Sequence, residues 1–107
     1  MDQTKDLNLN LIYSLSGEDD SKVIDIDTSY WTYGNEETPD VASPTATNSD
    51  SIGSDTTQGK RRTKALSAIS ASDITDADTI TIKLKRKGGS DTYTGTLQML
   101  YLYIYQN

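Results

Sequence analysis

Apolar and polar residues alternate along two segments near the start of the chain. The first has an apolar residue at every second position: Leu7, Leu9, Leu11, Tyr13 and Leu15. The second runs from residue 22 to about residue 33 and repeats the pattern from Ile24 onward. Alternation with a period of two is typical of a half-buried β-strand. Because only a short turn-forming segment separates the two strands, we predict that they form an antiparallel hairpin.

The second half of the chain predicts further strands. Residues 79–87 alternate most clearly, with Ile80, Ile82 and Leu84 on one face. Residues 60–70 fit both a helical spacing and a strand, and the surrounding strands together with their Ser and Thr content favour a strand.

The last predicted strand, about residues 94–105, is apolar on both faces. A period of two places Leu100, Leu102 and Ile104 on one face. It places five residues on the other: Leu97, Met99, Tyr101, Tyr103 and Tyr105. A strand of this kind is either central in the fold or covered by a partner.

Residues 34–59 are rich in Gly, Pro, Ser, Thr, Asn and acidic residues and contain few apolar ones. A structureless loop of this length is unusual inside a compact domain. We expect a long polar loop or arm, which either hides a short strand near residues 41–47 or extends from the domain. Pro39 and Pro44 would confine such a strand to a sheet edge.

Five or six short strands without a convincing helix predict an all-β sandwich or barrel. The length of 107 residues allows one domain, residues 1–107. The chain has no Cys and no His, which excludes disulfides, Cys or His nucleophiles and bases, and nearly every structural zinc site. Without a visible catalytic motif, we predict that the protein is not an enzyme and needs no cofactor. No apolar run is long enough to span a membrane.

The net charge of −6 is unevenly distributed. Residues 1–59 hold two basic and twelve acidic side chains, whereas residues 60–87 hold eight basic and three acidic ones. The overall acidity argues against nucleic-acid binding, which needs clustered positive charge. Each of two acidic clusters could bind a cation. One consists of Asp25 and Asp27, and the other of Asp73, Asp76 and Asp78. Neither cluster matches the spacing of a calcium loop. We therefore predict no metal site.

Two basic clusters and an aromatic stripe are candidates for a protein interface. The basic clusters are Lys60, Arg61, Arg62 and Lys64, and Lys83, Lys85, Arg86 and Lys87. If their strands are neighbours, these residues form one patch; the alternative is that strand-end lysines only discourage aggregation. The aromatic stripe consists of Tyr101, Tyr103 and Tyr105, with Trp31 and Tyr33 as possible neighbours. Such rings suit core packing, a protein interface or stacking on sugars.

Two stretches, residues 76–87 (DADTITIKLKRK) and 90–104 (SDTYTGTLQMLYLYI), resemble the C-terminal strand pair of small jelly-roll proteins of tailed bacteriophages. The shared pattern is an acidic turn, an alternating strand that ends in basic residues, an Asp-Thr-x-x-Gly turn and a closing strand. The segments at residues 7–15 and 23–33 are similar to an earlier hairpin of that group.

The resemblance implies a jelly-roll-like antiparallel β-sandwich and a structural role in the virion. The expected function is that of a capsid decoration (cement) protein, a dimer or trimer on the capsid surface that binds the major coat protein. The alternatives are a receptor- or carbohydrate-binding module of a tail fibre and a tail or adaptor component. A complete jelly roll has eight strands, so the shorter count here implies an incomplete barrel that a neighbour's strand or arm closes.

Overall fold

A computed structural model describes residues 2–16, 22–34, 43–53, 60–74, 79–87 and 91–107. The strands in these residues are β1 (Leu7–Leu15), β2 (Val23–Tyr33), β3 (Ala46–Gly53), β4 (Arg62–Ile69), β5 (Thr79–Lys87) and β6 (Leu97–Tyr105). One helical turn, α1 (Ala71–Ile74), lies between β4 and β5. Within this part of the chain no helix is long and apolar enough to cross a membrane.

The strands form two antiparallel three-stranded sheets that pack face to face, which confirms the predicted all-β sandwich. The first sheet has the order β4-β1-β6 and the second the order β3-β2-β5. The predicted hairpin of the first two strands is wrong, because β1 and β2 are the central strands of different sheets. Alternation fixes which side chains point inward, but it does not fix the neighbouring strand.

The core lies between the two central strands. On the inner face, the side that faces the opposite sheet, β1 buries the five residues that the pattern singled out. From β2, Ile24, Ile26, Thr28 and Tyr30 are buried against them. The outer strands contribute less, because the inward residues Ile80, Ile82 and Leu84 of β5 remain only partly buried. The free energy of apolar burial therefore comes mainly from β1 and β2.

Strand β3 lies within the segment expected to be a polar loop or arm. It overlaps the position considered for a hidden strand, residues 41–47, only at residues 46 and 47, and of its eight residues only Ile52 is buried. Its partner is β2, with Ile24 opposite Ile52 and Tyr30 opposite Ala46. The strand was hard to predict because it is an edge strand whose outer face consists of Thr, Ser and Gly. Residues 35–42 and 54–59 lie outside the described residues.

Hydrogen bonds join the two sheets where β3 faces β4. The carboxylate of Asp50 accepts hydrogen bonds from the backbone N–H of Ser67 at 3.0 Å and from its hydroxyl at 2.9 Å. The Asn48 amide donates to the carbonyl of Ala68 at 3.4 Å. Ser67 and Ala68 lie where the register between β1 and β4 shifts, so their backbone groups are left over from the ladder. The inward polar groups of β3 satisfy them and close this side of the sandwich.

A buried tyrosine connects β2 to the helical turn. The Tyr30 hydroxyl donates a hydrogen bond to Asp73 Oδ2 at 2.5 Å. Burial, together with this bond to a carboxylate, raises the pKa of Tyr30 from 10.0 to about 12. Since the folded-state pKa exceeds that of the unfolded chain, this group's contribution to stability is complete below pH 10 and is lost as the pH rises through about 12.

A Tyr30→Phe variant should therefore lose the last tyrosinate step, near pH 12, in a titration followed by tyrosinate absorbance. It should also lose about 1.5 kcal/mol of unfolding free energy at neutral pH, because Asp73 loses its donor. Tyr103→Phe, which alters an exposed ring, is the matched control and should keep the step. A wild-type titration without a step above pH 11 would contradict this assignment.

Candidate functional site

An ion pair positions the segment that leads into β6. The Arg86 guanidinium points inward from β5, opposite Ile26, and binds Asp91 through two bonds of 2.7 Å, from Nε to Oδ2 and from Nη2 to Oδ1. The Asp91 side chain is 5% exposed and that of Arg86 is 29% exposed. A bidentate pair of this kind fixes orientation as well as distance. It therefore holds the start of residues 91–96 against the end of the sandwich.

The same guanidinium also donates hydrogen bonds to backbone carbonyls of the residues that follow Asp91. Arg86 Nη1 donates to the Gly95 carbonyl at 2.8 Å, and Nη2 also donates to the Tyr93 carbonyl. The Tyr93 ring is buried, with the Arg86 guanidinium carbon 5.6 Å from its centroid. The Asp91 carboxylate also accepts from the Tyr93 N–H at 3.1 Å. This is the Asp-Thr-x-x-Gly turn of the sequence, and its Asp is the residue that the arginine binds.

Backbone hydrogen bonds attach this turn to β2. The N–H groups of Thr92 and Tyr93 donate to the Val23 carbonyl at 2.8 and 3.2 Å, and the Val23 N–H donates to the Thr92 hydroxyl at 2.9 Å. The segment from 91 to 96 thus crosses from the second sheet to the first while bonded to the central strand of the second. Its conformation decides where β6 begins.

The ion pair favours the charged form of both partners. Hydrogen bonds from Arg86 hold the pKa of Asp91 below its ordinary 3.8, and Asp91 in turn raises the pKa of Arg86. Because the pKa of Asp91 is lower in the folded state, the stabilisation is fully present above about pH 4 and is lost as the pH falls through the lowered value.

Strand β6 is an edge strand, so it is not central in the fold. It pairs with β1, and no strand of the described residues pairs with its other edge. The register shifts between Ile12, opposite Tyr101, and Tyr13, opposite Met99, which leaves Leu100 as an extra residue. Such a bulge inverts the alternation of all residues on one side of it.

The bulge corrects the predicted faces of this strand. Leu97, Met99, Leu102 and Ile104 lie opposite buried residues of β1 and therefore belong to the inner face. The outer face carries four residues: Gln98, Tyr101, Tyr103 and Tyr105. A strict period of two had grouped Leu97 and Met99 with the tyrosines, because the pattern contains no sign of the inserted residue.

Large apolar side chains of β6 remain exposed on both faces. Tyr101 and Tyr103 are 65% and 59% exposed, and Ile104 is 44% exposed. Met99 and Leu100 are each 37% exposed. The Tyr103 and Tyr105 rings stack with centroids 5.4 Å apart. We call the strand Leu97–Tyr105 with these side chains the β6 edge.

A shallow open groove of about 600 Å³ lies at the start of the β6 edge. Its lining has no titratable side chain and consists of Ser14, Leu15, Ser16, Thr96, Leu97, Gln98 and Met99. Acid–base chemistry needs a titratable group within hydrogen-bond reach of the reacting atom. The groove therefore offers contact surface and no such group.

Charge distinguishes β6 from the other three edge strands. Asp50 points inward from β3, and Arg62 and Lys64 do so from β4. Strand β5 carries four basic residues: Lys83, Lys85, Arg86 and Lys87. Charged side chains on an edge, particularly inward-pointing ones, discourage pairing with another sheet. Residues 92–107 have no charged side chain, so β6 lacks this protection.

The structure does not unite the two basic clusters into one patch. Strand β4 lies beside β3 across the sandwich, whereas β5 lies at the opposite edge of the second sheet. Lys60 and Arg61 are exposed ahead of β4, and Arg62 and Lys64 are half-buried on it. Lys83, Lys85 and Lys87 are exposed on the outer face of β5, and Lys85 and Lys87 lie directly opposite Asp27 and Asp25.

The aromatic candidates also separate. Trp31 and Tyr33 lie on the outer face of β2, in the second sheet, and are half-buried. Tyr101, Tyr103 and Tyr105 lie on the outer face of the first sheet. The outer faces of a sandwich point in opposite directions, so the expected neighbourhood of Trp31 with the tyrosine stripe is wrong.

The acidic residues examined for cation binding have protein partners. Asp27 accepts from the Ser49 hydroxyl at 2.7 Å and Asp25 from the Ser51 hydroxyl at 3.0 Å. Asp73 accepts from Tyr30. Asp76 and Asp78 lie outside the described residues. Among the residues that the structure describes, no three acidic side chains come together as a metal site would need.

Replacing Asp91 tests the role of the ion pair. Asp91→Asn should lower the free energy of unfolding by about 3 kcal/mol at neutral pH, because a half-buried guanidinium then lacks its carboxylate. Urea unfolding at several pH values should also show a weaker loss of stability below pH 4 than in the wild type. Asp27→Asn, on the outer face of β2, is the control and should cost less than about 1 kcal/mol. Equal losses in both variants would refute the special role of Asp91.

Two glycines offer a matched pair of substitutions. A Cβ at Gly95 would lie 2.5 Å from Cζ and 2.8 Å from Cε1 of the buried Tyr93 ring, whereas one at Gly53 would meet nothing within 4 Å. Gly95→Ala should therefore cost about 1–3 kcal/mol in thermal or urea unfolding. Gly53→Ala should be neutral or stabilise by up to about 1 kcal/mol. A neutral Gly95→Ala would mean that the Tyr93 ring is not fixed in this position.

Comparison of this chain with protein-family models, with curated proteins and with solved structures gave no match. Functional interpretation therefore depends on the contacts of the chain itself, and above all on the β6 edge that the Arg86–Asp91 pair positions.

Proposed function

We propose that this chain is a virion structural protein of a tailed bacteriophage, a capsid decoration protein that binds and stabilises the coat-protein shell. The observation that carries the proposal is the β6 edge. It combines a backbone edge that pairs with no strand of the described residues, exposed apolar side chains and a lack of charged side chains, at the rim of an otherwise polar sandwich. Surfaces of this kind mark sites of protein–protein contact.

The strand connections support the jelly-roll interpretation. The pair formed by β1 and β6 encloses, in sequence, the pair formed by β2 and β5. Of the five successive connections, only that between β2 and β3 stays within one sheet. A ribbon of paired strands wrapped across two sheets has this nested order. The six strands of the described residues are two fewer than a complete jelly roll has.

A second surface is suited to the coat protein. The outer face of the second sheet presents Lys83, Lys85 and Lys87 on β5, with Trp31 and Tyr33 on the adjacent strand. Lys83 lies opposite Ser29 rather than an acid, so its charge is available to an acidic partner. Complementary charges determine orientation and partner choice more than affinity. The two surfaces point in different directions, which allows one to face the shell and the other a neighbouring subunit.

One observation favours a second candidate function, carbohydrate binding by a tail-fibre module. Tyr103 and Tyr105 form a stacked pair on an exposed sheet face, with Tyr101 beside them. Exposed aromatic rings can stack on the apolar faces of sugars. A glycan array with the isolated protein separates the two functions: binding that is lost in Tyr103→Ala supports the module, and an array without binding excludes it.

The capsid proposal predicts the copy number in the virion. In particles of the phage whose genome encodes this chain, quantitative mass spectrometry should find it at a copy number comparable to that of the coat protein. The coat protein and a tail-tip protein of the same particles serve as standards for high and low copy number. A handful of copies would support a tail or adaptor component instead, and absence from the particles would overturn the proposal.

Binding of the recombinant protein to shells that lack it should depend on the lysine surface. Lys83→Glu should weaken binding at least about tenfold, because it places a negative charge where the acidic partner is expected. Lys60→Glu removes the same charge from an exposed position away from β5 and should have a smaller effect. Equal binding by both variants would exclude this surface.

A further inference from the structure

We infer that the β6 edge pairs with the β6 edge of a second copy, antiparallel and about a two-fold axis, to join two three-stranded sheets into one of six strands. This inference deepens the proposed function and depends on it only for the idea of an assembly. Its test uses the isolated protein, so either hypothesis can fail without the other.

Charge is the first reason to expect a second copy of this chain as the partner of the β6 edge. On a two-fold axis each strand meets its own copy, so like charges on an edge strand would repel each other. This argument excludes β5, whose outer face carries Lys83, Lys85 and Lys87. Strands β3 and β4 point charged groups inward from their edges. Strand β6 is the edge of the described residues that can meet its own copy without bringing charges together.

The faces of β6 also match their own copy. In an antiparallel pair, directly opposite residues point to the same side of the sheet. If Leu102 lies opposite Leu102 of the second copy, Tyr101 meets Tyr103 of the second copy on the outer face. In the same register Leu100 meets Ile104 of the second copy. Registers centred on Tyr101, Leu102 or Tyr103 each place at least one tyrosine opposite a tyrosine of the second copy.

The available area suits a reversible dimer. Burial of the exposed parts of Tyr101, Tyr103 and the three exposed aliphatic side chains removes roughly 500 Å² per copy, given about 150–250 Å² for a whole aromatic side chain. The total of roughly 1,000 Å² reaches the lower limit for a specific interface. Backbone hydrogen bonds along the new strand pair add orientation. We therefore expect dissociation on the order of micromolar concentrations.

Pairing of β6 with the β6 of a second copy gives a closed dimer, whereas pairing of β6 with a different edge strand gives an open-ended assembly. A contact between β6 of one copy and another edge of the next leaves a free β6 at the end of every chain of molecules. Such growth gives fibres, and the charged edges of β3, β4 and β5 oppose it. The two-fold arrangement uses both β6 edges and ends there.

Analytical ultracentrifugation of the full chain over a concentration series tests the inference. We expect a monomer–dimer equilibrium in the wild type and at least tenfold weaker association in Tyr101→Lys. The matched control is Thr63→Lys. Tyr101 and Thr63 flank Ile12 on the same outer face, one on each edge strand of the first sheet. Unchanged association in Tyr101→Lys, or a wild type that stays monomeric at millimolar concentration, would overturn the inference.

Cysteine crosslinking gives an independent readout of the register. The chain has no cysteine, so each single-cysteine variant reports on one position only. Among Tyr101→Cys, Leu102→Cys and Tyr103→Cys, the residue on the two-fold axis should oxidise fastest to a covalent dimer, because disulfides need Cα atoms about 4.4–6.8 Å apart. Thr63→Cys should remain monomeric. Equal rates at all four positions would indicate random collision and contradict the pairing.

Discussion

The bidentate contact between Arg86 and Asp91 is the constraint on which the arrangement of this sandwich depends. Arg86 belongs to the second sheet, and the turn that it binds leads directly into β6 of the first sheet. The turn gains little from apolar burial apart from Tyr93. Without Asp91 the Arg86 guanidinium would not be held in place. The Tyr93 and Gly95 carbonyls would then lose their common donor, and β6 would have no fixed start. This ion pair therefore anchors the turn from which the β6 edge starts, and the functional proposals rest on that edge.

The two sides of the sandwich are closed by different means. Where β3 faces β4, Asp50 and Asn48 bind backbone groups that the register shift of β4 leaves unpaired. Where β5 and β6 form the other side, the inward residues other than Arg86 are apolar, and Ile104 and Met99 remain exposed. The hydrogen bonds between β3 and β4 are complete within one chain, because each of these donors has its acceptor. On the β6 side, covering more apolar surface lowers the free energy further, so this side gains from contact with a neighbour.

The sequence was sufficient to predict five of the six strands of the described residues, but not the arrangement of the strands. Alternation marks the inward face of β1 and β2 because both lie at the centre of a sheet, with buried residues at every second position. It does not reveal the neighbouring strand, hence the wrong hairpin. Two further features were not visible. Strand β3 buries only Ile52, too little for a pattern, and the extra residue Leu100 inverts the alternation within β6.

The candidate site was accessible from the sequence to a similar degree. The absence of charge in residues 92–107 and the tyrosine stripe are both visible in the letters. The sequence does not show that this strand lies at the edge of its sheet. That position leaves its apolar side chains exposed to solvent instead of buried in the core. Arg86 illustrates the same limit: among four basic residues in five positions it is the one that points inward, because it lies opposite Ile26 rather than an outward residue. Charge alone suggested a basic patch. The inward position of Arg86 in the alternating strand instead makes it the residue that holds the turn at Asp91.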